Sequence, residues 1–389
     1  MSEMMTTQAG AAGAFGDFDL SRVPTPAFVV DEIALEQNLM ILADVAERSG
    51  AHILAALKAF SMFALAPKLR QYLQGTCASG LYEARLAREE YGGEVATYCA
   101  GYKDSEIDEI IALSDHMIFN SPAQKDRFLA KCQAAGKQVG LRINPEHSEG
   151  EIAKYDPCAP GSRLGMPISH LTAEVLDGVD GLHMHTLCEQ GFAPLARTWA
   201  AIEPKLTPYL SQLKWLNFGG GHHITRDDYD RDALVDFITE IRSTYDIDVY
   251  LEPGEAVALD AGILIGEVLD LPQNGVDLAI TDISATCHMP DVIEAPYRPA
   301  MLGEVATGHS YRFGGPSCLA GDVIGDYNMA QPLQIGDRFA FLDQAHYSMV
   351  KTNTFNGVAL PAILLWNSQT DDLRIVKQFG YDDFKDRLS

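Results

Sequence analysis

Eight short runs of apolar and β-branched residues recur at 52–58, 75–79, 95–100, 116–120, 138–144, 181–185, 215–219 and 249–253. Amphipathic stretches separate them, among them 67–74, 81–91, 121–135, 195–213 and 231–245. Eight strand–helix alternations within about 200 residues are the sequence form of a closed α/β barrel, the (β/α)8 or TIM barrel. A further helix is expected over 31–48, with Asp31 as its N-cap, leading into the first barrel strand. From about residue 261 the rhythm changes. Runs at 263–271, 276–284, 311–313, 338–342, 363–366 and 373–378 are joined by Gly, Pro and Asp turns, and helical patterning nearly stops. This predicts a second, C-terminal β-rich domain of sandwich or barrel-like form. The expected boundaries are a frayed tail over 1–22, the barrel over 23–260 and the β domain over 261–389. Residues 23–30 are a candidate strand of the second domain.

Composition narrows the class of partner. Lys and Arg number 29 against 54 Asp and Glu, a net charge of −25 that disfavours nucleic acid and anionic membranes. No apolar run approaches the roughly 18 residues of a membrane span. The Gly- and Ala-rich opening lacks the basic region of a signal peptide and the arginines of a transit peptide. Seven dispersed cysteines without CxxC spacing fit a reducing compartment, so the expected location is the cytoplasm.

In a barrel of this kind the chemistry sits at the C-terminal ends of the strands. The first run ends on Lys58, the fifth carries Arg142 near its end, and the sixth ends on His185. The seventh runs into Gly219-Gly220-Gly221, and the eighth into Glu252-Pro253-Gly254. A lysine at the inner end of an apolar strand, expected to be buried, can form a Schiff base. Consecutive glycines let backbone N–H groups approach a phosphate. A carboxylate can keep a pyridine nitrogen protonated. Amine, cradle and carboxylate together point to pyridoxal 5'-phosphate. His185 is expected to pack on the ring face, while His183 points to the other face of the strand by period two and reads as structural. A rival reading takes His183 and His185 as the metal pair of a barrel hydrolase, with His222, His223 and Asp282 as further ligands. That pair usually opens on the first strand, and the glycines would then have no role. A single-domain pyridoxal-phosphate carrier would leave the β domain without one. The segment 145–165, with Tyr155-Asp156-Pro157 and Ser162-Arg163-Leu164-Gly165, reads as a functional loop.

These motifs, together with Gly314-Gly315-Pro316-Ser317-Cys318, Thr354-Phe355-Asn356-Gly357 and the stretch 183–190, resemble the fold-type III, alanine racemase-like pyridoxal-phosphate enzymes. Within them the likeness is to the decarboxylase branch, above all to the carboxynorspermidine/carboxyspermidine decarboxylase family. The resemblance runs from about residue 23 to the C-terminus. It implies a homodimer with active sites shared across the interface, acting on a carboxylated polyamine without metal. It assigns catalysis to Lys58, His185 and Cys318, the last protonating the substrate carbon after CO2 leaves. It assigns cofactor contacts to Lys58, Arg142, His185, Cys188, Gly219, Gly220, Gly221, Glu252, Gly254 and Tyr347. Glu255, Asp291, Glu294 and Asp322 are the implied ligands for substrate amines. Two departures weigh against the diaminopimelate and the ornithine or arginine types, which remain the alternatives. Thr76 stands where an Asp is usual, and Glu255 stands where an Arg helps to hold phosphate.

Overall fold

The computed structural model describes residues 10–147, 149–150 and 156–389, so Tyr155 lies outside the described residues. The chain forms two compact units, one of Asn38–Val257 and one of residues up to Gln37 together with Ala258–Ser389. In the first, eight parallel strands follow one another around a ring: His52–Ala56, Gly75–Ala78, Glu94–Tyr98, His116–Phe119, Gln138–Asn144, Gly181–His183, Trp215–Asn217 and Asp248–Leu251. The ring closes where Tyr250 and Leu251 pair with His52 and Ile53. Strands covered on both faces need no polar alternation, which is why the runs read as nearly continuous apolar stretches.

Local signals set the helices. Ser121 accepts the Gln124 N–H at the head of Pro122–Ala134, and Asp230 accepts the Ala233 N–H at the head of Arg231–Tyr245. Asp31 accepts from the Ile33 N–H, 3.0 Å away, at the start of Glu32–Ser49. The crossover after the fifth strand departs from the regular alternation. Among its described residues it holds a two-residue strand, Met166–Pro167, and the turn Ile168–His170, with no α-helix. Prolines at 145, 157, 160 and 167 explain this, since each removes a helix donor.

The N-terminal ends of the strands are filled. His116 Nε2 lies 2.9 Å from Glu94, and Trp215 donates to Gln138 Oε1 at 2.7 Å. Gly140 and Gly181 make room for the indole, since a Cβ on either would come within 2.5 Å and 2.0 Å of it. Only the opposite mouth of the barrel is left for chemistry.

The second unit is built on Ala27–Asp31, which lies antiparallel to Gly262–Asp270 and parallel to Ala362–Asn367. Asp372–Lys377 extends one side. On the other, Gly262–Asp270 pairs with Arg338–Phe341 and with Val276–Thr281, followed by His309–Gly314 and Val323–Met329. The last strand was not expected, because Gly325, Asp326 and Asn328 lower its β propensity; pairing along His309–Gly314 overrides that.

The expectation of a frayed tail over 1–22 is corrected for residues 10–22. They form the turns Gly13–Asp17 and Leu20–Arg22, and Phe15 and Phe18 are buried against Trp366, at ring separations of 5.2 Å and 4.8 Å. Burying two aromatic rings outweighs the flexibility of the surrounding Gly and Ala. Among the described residues no helix is long and apolar enough to cross a membrane.

Candidate active site

The barrel unit brings Lys58, Arg142, His185, the three glycines and Glu252 to the C-terminal mouth. Lys58 lies in the turn that follows His52–Ala56. Its backbone neighbourhood is fixed from both sides: the Ala56 N–H donates to Pro253 O at 2.9 Å, and the Leu57 N–H to Cys77 O at 3.1 Å. The side chain is exposed, which corrects the expectation of a buried lysine. Two residues past the strand, it has left the walls that neighbouring strands provide. Gly254 allows the eighth strand's loop close to this turn, because a Cβ there would come within 2.6 Å of the Ala59 side chain.

Glu252 is buried, and both carboxylate oxygens carry donors. Asn217 Nδ2 donates to Oε1 at 2.8 Å, and His183 Nε2 lies 3.1 Å from Oε2. Burial works to raise its pKa, but His183 and the Asn217 donor outweigh it and hold the carboxyl down at about 2. Burial lowers His183 itself from its ordinary value, despite the carboxylate beside it. The two shifts agree on a carboxylate facing a neutral imidazole that donates through Nε2. Cys77, on the second strand, borders the same carboxylate; burial first, then Glu252, push its thiol well above the usual range.

The glycines form a tight turn against neighbouring backbone. Gly219 and Gly221 have φ of +68° and +85°, and the Gly219 N–H donates to Asn217 Oδ1 at 2.8 Å. A Cβ on Gly220 would sit 2.2 Å from Glu252 O, and one on Gly221 1.9 Å from Leu187 O. His185 accepts the Gly220 N–H at Nδ1, at 3.0 Å, so this nitrogen is unprotonated. Burial, with Lys58 and Arg142 nearby, holds the ring well below the usual histidine range. Arg142 is buried, donates to His185 O at 3.3 Å and lies with its guanidinium carbon 4.6 Å from the Tyr98 ring centre. Cys188 is exposed.

The hydrolase reading loses its ligands. His183 is engaged with Glu252, His185 with Gly220, and His222 with the Tyr229 hydroxyl at 2.8 Å. Asp282 belongs to the other unit, where it accepts the Glu267 N–H. Glu255 starts a short helix and lies 3.3 Å from the buried His223.

In the β unit, Cys318 is exposed on a loop held at two points. Its N–H donates to Asn356 Oδ1 at 2.8 Å. Asp322 is buried and accepts from the Ser284 hydroxyl at 2.8 Å, the Ser317 hydroxyl at 2.6 Å and the Thr286 N–H at 3.2 Å. Asp291 lies 2.6 Å from Lys351, and Glu294 3.9 Å from it. Tyr347 begins the helix Tyr347–Val350, with the Lys351 ammonium 5.6 Å from its ring centre.

The sequence reading missed Tyr98, Asn217 and Cys77, and gave His183 only a structural part. Asn217 had a signal, standing two residues before the glycines at the end of a strand, within reach of their N–H groups. Tyr98 and Cys77 had none beyond standing at or next to the ends of short strands.

The donor set fits pyridoxal phosphate: an accessible amine, a three-glycine turn at the strand end packed too closely on neighbouring backbone for any side chain, and a buried carboxylate held ionised. The family model for the pyridoxal-dependent decarboxylase C-terminal sheet domain matches residues 27–345. A carboxyaminopropylagmatine decarboxylase of Synechocystis sp. is 42% identical over 95% of this chain and 96% of its own length. A carboxynorspermidine/carboxyspermidine decarboxylase of Campylobacter jejuni is 39% identical over 93% and 98%. The crystal structure of carboxynorspermidine decarboxylase from Campylobacter jejuni, complexed with norspermidine, superposes with a TM-score of 0.86 at 38% identity, covering 94% of this chain and 100% of that one. The diaminopimelate decarboxylase of Helicobacter pylori, at 17% identity and a TM-score of 0.80 over 94% and 97%, shares the fold. Barrel, sheet unit and strand-end chemistry thus converge, and the chain belongs to the pyridoxal-dependent decarboxylases, carboxy-lyases that work with pyridoxal 5'-phosphate.

Proposed function

We propose that this enzyme decarboxylates a carboxylated linear polyamine, carboxynorspermidine or carboxyspermidine, to norspermidine or spermidine, as a cytoplasmic homodimer. The observation that carries the reading is the match, over nearly the whole of both chains, to a relative of that name. Bound pyridoxal phosphate supplies the sink for the electron pair left when CO2 departs. Lys58 offers the amine that holds the cofactor and is exchanged for the substrate's. Glu252 keeps a negative charge toward the ring nitrogen, His185 covers a ring face, and the Gly219–Gly221 turn, whose first two N–H groups hold Asn217 and His185 in place, borders the phosphate. Arg142, Cys188, Gly254 and Tyr347 complete its surroundings. The Cys318 thiol of the second copy returns a proton to the substrate carbon. Among the acidic candidates, Asp291 and Glu294 are close to Lys351, and Asp322 is engaged with the Ser284 and Ser317 hydroxyls. Glu255, whose carboxylate lies 3.3 Å from the His223 imidazole, is the proposed reader of the substrate's distal ammonium.

The Synechocystis relative gives a second reading, a substrate ending in the guanidinium of agmatine. Purified enzyme should be offered carboxynorspermidine, carboxyspermidine, carboxyaminopropylagmatine and diaminopimelate, with the amine products measured by mass spectrometry. The proposal expects kcat/KM for a carboxylated triamine to exceed that for diaminopimelate by about a hundredfold or more. Preference for diaminopimelate would overturn it, and preference for the agmatine derivative would transfer the site to the second reading. In the same assay Glu255→Gln should lose roughly ten- to a hundredfold in kcat/KM, with the cofactor spectrum unchanged.

A further inference from the structure

Four side chains form a column inside the barrel mouth. The Arg142 guanidinium lies over the Tyr98 ring, 4.6 Å from its centre. Tyr98 stacks on His183, with ring centres 5.5 Å apart and planes inclined by 14°. His183 Nε2 then meets Glu252 Oε2 at 3.1 Å. Each member comes from a different strand: the fifth, third and sixth supply Arg142, Tyr98 and His183, and Glu252 follows the eighth. A buried imidazole needs a hydrogen-bond partner, and the partner here is the carboxylate that follows the eighth strand. We propose that His183 is a positioning residue, whose Nε2–H fixes the orientation of the Glu252 carboxylate toward the cofactor's ring nitrogen.

Geometry decides which form of the imidazole does this. His183 Nδ1 is buried and has no hydrogen-bond partner among the described residues. A proton there would be a buried donor without an acceptor, which is costly to bury. The neutral Nε2–H tautomer avoids that and still donates to Glu252. The charged and titratable groups around the ring act in the same direction, except one. Arg142 on the fifth strand and Lys58 after the first disfavour a second proton, while Glu252 alone favours it. With Asn217 on Oε1 and His183 on Oε2, both oxygens of Glu252 are directed by the chain's own donors. The assignment holds whichever carboxylated amine is consumed. It rests on Glu252 being the carboxylate that faces the ring nitrogen, which Glu252→Gln tests separately.

Two variants and one spectrum test the assignment. His183→Phe keeps the stack on Tyr98 and removes the donor; His183→Gln restores a donor near the same place. Cofactor-stripped chains are titrated with pyridoxal phosphate and the dissociation constant is read from visible absorbance. The Phe variant should bind at least about tenfold more weakly, and its bound-cofactor spectrum should change its pH dependence. The Gln variant should come back to within about threefold of the parent. A Phe variant with the parent's dissociation constant and spectrum would overturn the assignment. So would a Gln variant no better than Phe. Should the Phe chain fail to fold, nitrogen NMR of the labelled parent holoenzyme decides alone. A neutral Nε2–H tautomer from about pH 6 to about pH 8 supports the assignment, and a doubly protonated His183 there overturns it. If Glu252→Gln leaves the cofactor spectrum unaltered, the carboxylate itself has been misassigned, an outcome distinct from failure of the His183 variants.

Discussion

Asp322→Asn separates two meanings of the acidic residue nearest in sequence to Cys318. In the structure Asp322 binds its own chain. One oxygen accepts from the Ser284 and Ser317 hydroxyls, at 2.8 Å and 2.6 Å, and the other from the Thr286 N–H at 3.2 Å. An asparagine has the same shape but brings an NH2 group into this ring of donors. Turned one way, it opposes the Thr286 N–H; turned the other, it forces two serine hydroxyls to seek new acceptors. The remaining bonds also lose their charge assistance. Weakening two charge-assisted hydrogen bonds by about 1 kcal/mol each, and leaving one buried donor opposed at a similar cost, comes to roughly 3 kcal/mol. For a unit of this size that lowers the melting temperature by roughly 6–12 °C. The loop it holds carries Cys318, the proposed proton donor, and on that proposal kcat should fall while KM changes little. Differential scanning fluorimetry and steady-state kinetics read both. If Asp322 instead binds a substrate amine, the melting temperature stays and KM rises. Unchanged melting with a raised KM would refute the loop-clip reasoning.

Three further outcomes are expected. Lys58→Ala should lose borohydride-trapped cofactor and reduce turnover by several orders of magnitude, and mass spectrometry finding the adduct on another lysine would reject Lys58. Mixed Lys58→Ala and Cys318→Ala chains should recover about a quarter of the parental activity if each site draws on both copies, since random mixing makes about half the dimers mixed, with one intact site in each; verified mixed dimers without activity would exclude shared sites. Acid and base should act oppositely on two carboxyls. Glu252, held at about 2 in the fold against roughly 4.3 unfolded, contributes stability above about pH 4 that is lost as pH falls toward 2. Burial and then Asp343 push Asp260 up to about 6, so its contribution is lost as pH rises from about 4 to about 6. Asp260→Asn should therefore raise the melting temperature at about pH 7 but not at about pH 4, and an equal effect at both would contradict the assignment.

The barrel was legible because its strands are covered on both faces, so each appears as a compact apolar run, and because a parallel sheet forces a long return after each one. The candidate site was legible for a related reason: Lys58, Gly219–Gly221 and Glu252 close their runs, where a side chain or bare backbone must turn toward the mouth. What stayed hidden depended on partners remote in sequence. Phe15 and Phe18 are held by Trp366, which no local pattern announces within a Gly- and Ala-rich stretch. Val323–Met329 becomes a strand through its neighbour rather than its composition. His183 was read as structural because period two turned it from His185, yet its partner is Glu252, 69 residues away. The exposure of Lys58 was misjudged because strand patterning says nothing of the two residues beyond a strand's end.

The place of Ala27–Asp31 has a consequence for how the polypeptide is made. This strand leaves the ribosome early, yet its two neighbours are Gly262–Asp270 and Ala362–Asn367. The whole barrel, from Asn38 to Val257, is synthesised between the strand and the first of these. Translation thus delivers a continuous sequence that can close on itself in the middle while its opening strand waits for the closing one. Throughout that interval Ala27-Phe28-Val29-Val30 is an apolar segment with open edges, the kind of segment that chaperones shield and that aggregates when they do not. Gly262–Asp270 can cover one edge as soon as it is made, but the other stays open until Ala362–Asn367 follows, so premature termination near residue 360 would leave that edge unpaired.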